Sequence, residues 1–199
     1  MDGTGCDGGE PVTEPATAIY TKTGDDGTTG RLFGGRLAKD DLLIDACGDV
    51  DGAVAALGIA REALHADPET AELVLTVQRH LFVVAADLIA NPRARHRLTE
   101  GVSCVSPQMT DDLEQAIDRL TAQQPLRPVF IVPGATRASA ALDFARTVAR
   151  RAERQVIRCR SNGCIVTSDV VTYLNRLSDL LYVLARRVSG AAEEPVSHG

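Results

Sequence analysis

The chain has 199 residues, a net charge of −6 and 44% hydrophobic residues, with an aromatic share of only 4% and no Trp. This length fits one domain with a sizeable core, and the acidic balance excludes a general nucleic-acid binder, which needs a basic surface. With so little aromatic volume, Leu, Val, Ile and Ala must fill the core, which suits closely packed helices better than a sheet sandwich. Residues 1–17 are acidic and rich in Gly and Pro, with no basic stretch followed by an apolar one. They are expected to be a disordered tail and not a secretory signal.

A Gly- and Thr-rich loop follows, from Thr21 to Lys39. Apolar residues recurring at spacings of three and four then predict a helix from Leu42 to Leu64. A second helix starts at Asp67-Pro68, with Pro near its first position, and stops at Asn91-Pro92. Its most apolar run, Leu81–Ala90, is interrupted by Asp87 and too short to span a bilayer, so no membrane association is expected. The stretch Arg93–Gln108 has no clear period and is expected to be a long exposed loop. A short helix follows from Thr110 to Ala122, started by Thr110 with Asp111 and Asp112.

Val129–Val132 is expected to be an extended lead-in to the next helix rather than a strand. That fourth helix runs from Thr136 to Arg160, with Leu142, Ala145, Ala149, Ala152 and Val156 as a narrow apolar seam. The fifth covers Val170–Val188, and residues 189–199 are expected to be a loose C-terminal tail. The predicted fold is all-α: an up-and-down bundle of about five helices over residues 18–188, carrying an N-terminal Gly-rich nucleotide-binding loop.

Three features are candidates for chemistry. A triphosphate needs convergent N–H donors and a few cations, and TKTGDDGTTG supplies both, with Lys22 before the glycines and Lys39 after them. No GKS or GKT closes the loop, so it is not a Walker A motif, and by composition alone a flexible surface turn is the more natural reading. Arg146, Arg150 and Arg154 recur every four residues along the fourth helix. Such a stripe repels itself unless acids such as Asp143 and Glu153, or a bound anion, offset it. It is either a solvated charged face or a phosphate pocket. Asp51 stands in a small, apolar helix, where Arg146 is a plausible partner, and Asn175 and Asp179 lie one turn apart on the fifth helix.

The five cysteines, Cys6, Cys47, Cys104, Cys159 and Cys164, form no CxxC pair and match no histidine pair. They fit reduced thiols in a cytoplasmic protein, with no metal site built by the chain. The four histidines sit in no motif, and no Ser-His-Asp or Cys-His arrangement is evident.

IYTKTGDDGTTGRLFGGRLAKDD, then VD, FIVPG, ALDFARTVARRAER and YLNRLSDLLYVLAR, taken in order from Ile19 to Arg186, resemble the PduO-type ATP:cob(I)alamin adenosyltransferases. The resemblance implies a homotrimer of helical bundles with active sites between subunits. It implies transfer of the 5′-deoxyadenosyl group of ATP, with Mg²⁺, to the cobalt of reduced cobalamin. ATP is then expected among Thr21, Lys22, Thr23, Gly24, Thr29, Gly30, Lys39, Arg150, Arg151, Glu153, Arg154 and Asn175. Asp51 and Arg146 are expected to form a salt bridge shaping the site, and Phe130 to fill the lower face of the corrin. A reductase and an adenosylcobalamin-dependent acceptor enzyme are the implied partners.

Some positions depart from the family pattern: VDGAV replaces VDELN, PGA replaces PGG at Pro133–Ala135, Leu142-Asp143 replaces LH, and Cys47 precedes Gly48. They keep two other readings open, an ATP pocket serving a different acceptor and a non-catalytic carrier or sensor of adenosylcobalamin.

Overall fold

The computed structural model describes residues 19–196, so the tail expected over residues 1–17, Cys6 included, lies outside the described residues. Five long helices build the fold: α1 (Leu42–Ala63), α2 (Pro68–Ile89), α3 (Pro107–Gln123), α4 (Arg137–Ser161) and α5 (Ser168–Ser189). Each start has a local cause. Asp41 accepts from the Leu43 N–H, Asp67 from Thr70 and Thr167 from Val170. Thr136 and Ser139 close a reciprocal capping box at the head of α4.

The third helix begins at Pro107, three residues before the expected Thr110, because Ser106 caps it and Pro107 occupies its first turn. Spatially, α1 packs on α2 and α4, α4 packs on α5, and α5 carries α3 on its outer side. Helix α2 also reaches α5, where the His80 and Tyr173 rings meet edge to face at 5.7 Å. The core is aliphatic as composition demanded: Leu57, Leu81, Leu142, Leu174, Leu177 and Leu181 are fully buried, and Tyr173 is the one buried aromatic ring among the described residues.

Three expected irregular segments carry structure. The long loop after α2 contains a 3₁₀ helix over Pro92–Arg97 and ends on Val105, whose N–H donates to the buried Asp87 carboxylate at 3.0 Å. That carboxylate also pairs with Arg95. Val129–Val132 is not a plain lead-in, because Ile131–Val132 forms strand β3. The C-terminal tail, expected to be loose, provides its partner. After a 3₁₀ turn at Gly190–Ala192, Glu194–Pro195 forms β4 and pairs antiparallel with β3, Ile131 opposite Pro195. For this labelling, β1 (Thr28–Gly30) and β2 (Arg36–Ala38) are the two arms of a hairpin ahead of α1. Among the described residues no helix is long and apolar enough to cross a membrane.

Candidate active site

The Gly-rich segment folds into the β1–β2 hairpin, and a residue that sequence reasoning passed over holds it. Arg36 donates from Nε to the Thr28 hydroxyl at 2.6 Å and from Nη2 to the Thr23 carbonyl, and its Nη2 stands 3.6 Å from Asp26. One guanidinium thus ties both ends of the GDDGT turn, which its rigid fork of donors suits. Asp26 in turn accepts from the Thr28 hydroxyl and N–H, and these bonds hold its carboxyl below the ordinary range. A signal was available: a lone arginine on the returning strand, opposite the turn.

Lys39 lies across the base of the same turn. Its N–H donates to the Gly27 carbonyl at 2.9 Å, and its ammonium comes so near Gly24 that a Cβ there would sit 3.2 Å from Nζ and 3.2 Å from the Thr28 carbonyl oxygen. Gly24 therefore permits a close approach that a side chain there would crowd by a few tenths of an ångström. Thr21 and Thr23 share a hydroxyl contact of 2.8 Å, and Lys22 adopts a positive φ of 59°. The far end of the hairpin is docked on α2: Arg31 donates to the carbonyls of Ile89 (3.2 Å) and Ala90 (2.7 Å), and Asn91 to Gly34 (2.8 Å). These bonds also satisfy carbonyls left open at the end of α2.

The three arginines of the stripe have different surroundings. Arg146 Nε lies 3.5 Å from the buried Asp143 carboxylate. Arg150 Nη1 reaches the Ser178 hydroxyl at 3.5 Å, and Arg154 is exposed with no ion-pair partner among the described residues. Glu153 is buried and accepts from Asn175 Nδ2 at 3.0 Å, so it fixes the amide's orientation on α5. Arg151 turns to the other side of α4 and pairs with Asp49 of α1 at 2.7 Å. Its Nη2 would lie 3.5 Å from a Cβ at position 52, an ordinary contact distance, so the pair does not require glycine there.

Asp143 does more than offset the stripe. It is buried, as is Arg186, and the two form an ion pair; Arg186 Nε also lies 3.1 Å from Glu193, whose carboxylate accepts from the Ser189 hydroxyl at 2.8 Å. This chain of charges was not visible in the sequence, since its members stand on α4, α5 and the C-terminal segment.

The expected salt bridge between Asp51 and Arg146 is not made within the chain. Asp51 is exposed and lines a groove of about 410 Å³ with Thr29, Gly30, Cys47, Ala86 and Ile89, between the hairpin, α1 and α2. Arg146 and Arg150 line a separate groove of about 560 Å³ with Glu114, Arg176, Ser178 and Asp179, between α3, α4 and α5. The Asp51 carboxylate and the Arg146 guanidinium thus line different grooves, built by different helices. Phe130 is 88% exposed, between α3 and α4, and its carbonyl accepts from the Val196 N–H at 2.9 Å.

Three of the described cysteines are held as thiols. Burial pushes the thiols of Cys47 and Cys104 up to about 11 and that of Cys159 up to about 12, far from thiolate at neutral pH. Among the described residues no three His, Cys, Asp or Glu side chains are grouped to hold a metal ion.

Known proteins of the same kind are recognisable at this point. Residues 19–188 match the family profile described as Cobalamin adenosyltransferase. The corrinoid adenosyltransferase of Bacillus subtilis (strain 168) is 40% identical over 176 residues, covering 86% of this chain and 86% of that protein. The corrinoid adenosyltransferase of Citrobacter freundii is 38% identical over 171 residues, covering 84% and 93%. Among solved structures, a phenylalanine-to-alanine variant of the PduO-type ATP:corrinoid adenosyltransferase from Lactobacillus reuteri, complexed with cobalamin and ATP, is 32% identical. It superposes with a TM-score of 0.77, covering 86% of this chain and 93% of that one.

Proposed function

This chain belongs to the cobalamin adenosyltransferase family, and we propose that it moves the 5′-deoxyadenosyl group of ATP onto the cobalt of a reduced corrinoid. The observation that carries the reading is the pair of separate, exposed grooves. One presents Thr29, Gly30 and Asp51, the other Arg146 and Arg150, and a whole phosphate pocket needs both. In a homotrimer the first groove of one subunit faces the second groove of its neighbour. Asp51 then meets a neighbour's Arg146, and ATP lies between.

In the transfer, a Co(I) electron pair forms the bond to C5′ while the C5′–O bond breaks and triphosphate departs with the electrons of that broken bond. No proton moves, so the site needs no general acid or base. Its task is alignment and stabilisation of the leaving anion. Lys22, Lys39 and the N–H groups of the Arg36-braced turn face the phosphates from one side. Arg150 and Arg154 face them from the other, Arg151 being committed to Asp49 on the opposite side of α4, and Asn175, held by Glu153, orients the nucleoside.

Mg²⁺ arrives on the triphosphate; the described residues build no carboxylate cluster for it, and no step here runs through it. Phe130, already exposed, presents its ring to the lower corrin face and displaces the axial ligand. Loss of that ligand makes Co(II) easier to reduce, the same lever of axial ligation that proteins apply to other metal cofactors. A reductase supplies the electron, and an adenosylcobalamin-dependent enzyme takes the product, all in the cytoplasm.

Of the substitutions that left other acceptors open, Asp143 has a structural partner inside the chain, the buried Arg186. Incubation with ATP, reductant and cob(II)alamin should yield the adenosylcobalamin spectrum, Arg150→Ala should abolish ATP use, and Phe130→Ala should bind ATP but lose Co(II) reduction. Absence of product from folded, ATP-saturated protein would sink the reading; wild-type turnover by Arg150→Ala would remove the arginines from it.

A further inference from the structure

We propose that Glu193 is a positioning residue for Phe130, acting through the C-terminal segment 190–196. The inference rests on the reading of Phe130 as the corrin-facing side chain, and it concerns what holds that side chain in place.

The stretch from Pro125 to Ala135 is almost wholly exposed, with Ile131, half-buried, the main exception inside it. It crosses from α3 to α4 without a helical turn. The hydrogen bonds that tie this stretch to the rest of the described residues all go to the tail. They are the β3–β4 ladder, the Val196 N–H to the Phe130 carbonyl (2.9 Å) and Arg127 Nη1 to the Glu193 carbonyl (3.3 Å). A ladder of two residue pairs does not hold itself together in water, so the tail must be anchored by something else.

Apolar burial does not supply that anchor. Ala191, Ala192 and Val196 are exposed, and Pro195 is only half-buried. The anchor is the side chain of Glu193, 5% exposed, lying 3.1 Å from Arg186 Nε and accepting from the Ser189 hydroxyl at 2.8 Å. Arg186, also buried, is itself fixed by Asp143. The carboxylate on the guanidinium is an ion pair and not a directed hydrogen bond, and it tethers the tail because either group left alone in the interior is strongly disfavoured. The tether stands one residue before β4 and three before the donor to Phe130. Through Asp143, which also faces Arg146 at 3.5 Å, the corrin-facing stretch and the arginine stripe share one charged network.

Two variants separate the tether from general damage to the fold. Glu193→Gln removes the charge. Val196→Pro removes the single N–H given to Phe130 and leaves the partners of Arg186 untouched. Three quantities are measured: the Kd for ATP by titration calorimetry, the electron-paramagnetic-resonance signal of ligand-free Co(II) on ATP-loaded protein with cob(II)alamin, and hydrogen exchange over residues 129–132.

Both variants should keep the ATP Kd within about twofold of wild type while exchange over 129–132 speeds up roughly tenfold, as for a locally released segment. The Co(II) signal should fall in both, the step that Phe130→Ala also loses. Unchanged exchange in both variants would overturn the tether. Faster exchange with a wild-type Co(II) signal, in a protein whose Phe130→Ala variant loses that signal, would overturn the positioning role. A Phe130→Ala variant with a wild-type signal would instead strike down the reading of Phe130 itself, leaving the exchange result to judge the tether.

Discussion

Replacing Asp143 with Asn keeps the shape of the side chain and removes one charge from the centre of the buried network. Arg186, 5% exposed, would keep only Glu193, and Arg146 Nε would lose its one nearby acid. Removing one partner of a buried ion pair costs about 3–5 kcal/mol because the other charge stays behind unpaired. Glu193 still neutralises Arg186, and the Asn oxygen still accepts one hydrogen bond, so the loss should fall at about 2–3 kcal/mol. For a domain of this size each kcal/mol lowers Tm by about 2–4 °C, which gives a drop of roughly 5–10 °C. Thermal melts followed by circular dichroism, with urea titrations at equal m-value, would measure it. Replacing all three charges together (Asp143→Asn, Arg186→Met, Glu193→Gln) should recover part of the loss, since apolar groups often replace buried ions without penalty and no carboxylate is left unpaired. A drop under about 2 °C, or a triple variant no better than the single one, would refute the picture of Asp143 as the keystone of the network.

Gly52→Ala should stabilise the protein by about 0.5–1 kcal/mol, since the site is helical and the new Cβ meets Arg151 Nη2 and Val148 at ordinary distances of 3.5 and 3.7 Å; urea midpoints would register it. Gly24→Ala should leave the melting temperature nearly unchanged and weaken ATP binding roughly tenfold, because the methyl group crowds Lys39 Nζ and the Thr28 carbonyl at 3.2 Å; titration calorimetry decides. Burial pushes the His80 imidazole down, with Asp112 opposing, from the ordinary 6.5. The unfolded chain therefore takes up a proton that the folded one refuses as pH falls below 6.5, and stability should drop in that window. His80→Phe should flatten the drop between about pH 7.5 and about 5.5 in urea midpoints.

The helices were legible because their causes are local. Asp41, Asp67 and Thr136 cap helices where the periodicity begins, and the alanine-rich seam of α4 lies buried against α1. The start of α3 was legible too, in Ser106-Pro107, but a stretch without periodicity hid it. Strand β3 and the ordered tail were not legible, because two residues give no period and their partners stand more than sixty positions away. At the site, the loop and the stripe were found by residue type. Arg36, which shapes the loop, and Arg186, which claims Asp143, were missed, since spacing along one helix does not show which neighbour a charge faces. The pairing of Asp51 with Arg146 failed within the chain for the same reason: both lie on expected helices, and each faces a different groove.

The two separate grooves also carry a genetic consequence. If each active site draws one groove from either side of a subunit boundary, a lesion in Asp51 and a lesion in Arg150 damage different halves of different sites. Coexpressed, the two dead chains would assemble with some boundaries that join an intact half from each, and activity would return. Two lesions in the same groove, Arg146 and Arg150, would never complement. On that assembly the bundle would divide one function between its two grooves, and a null allele in one groove would remain a competent donor of the other.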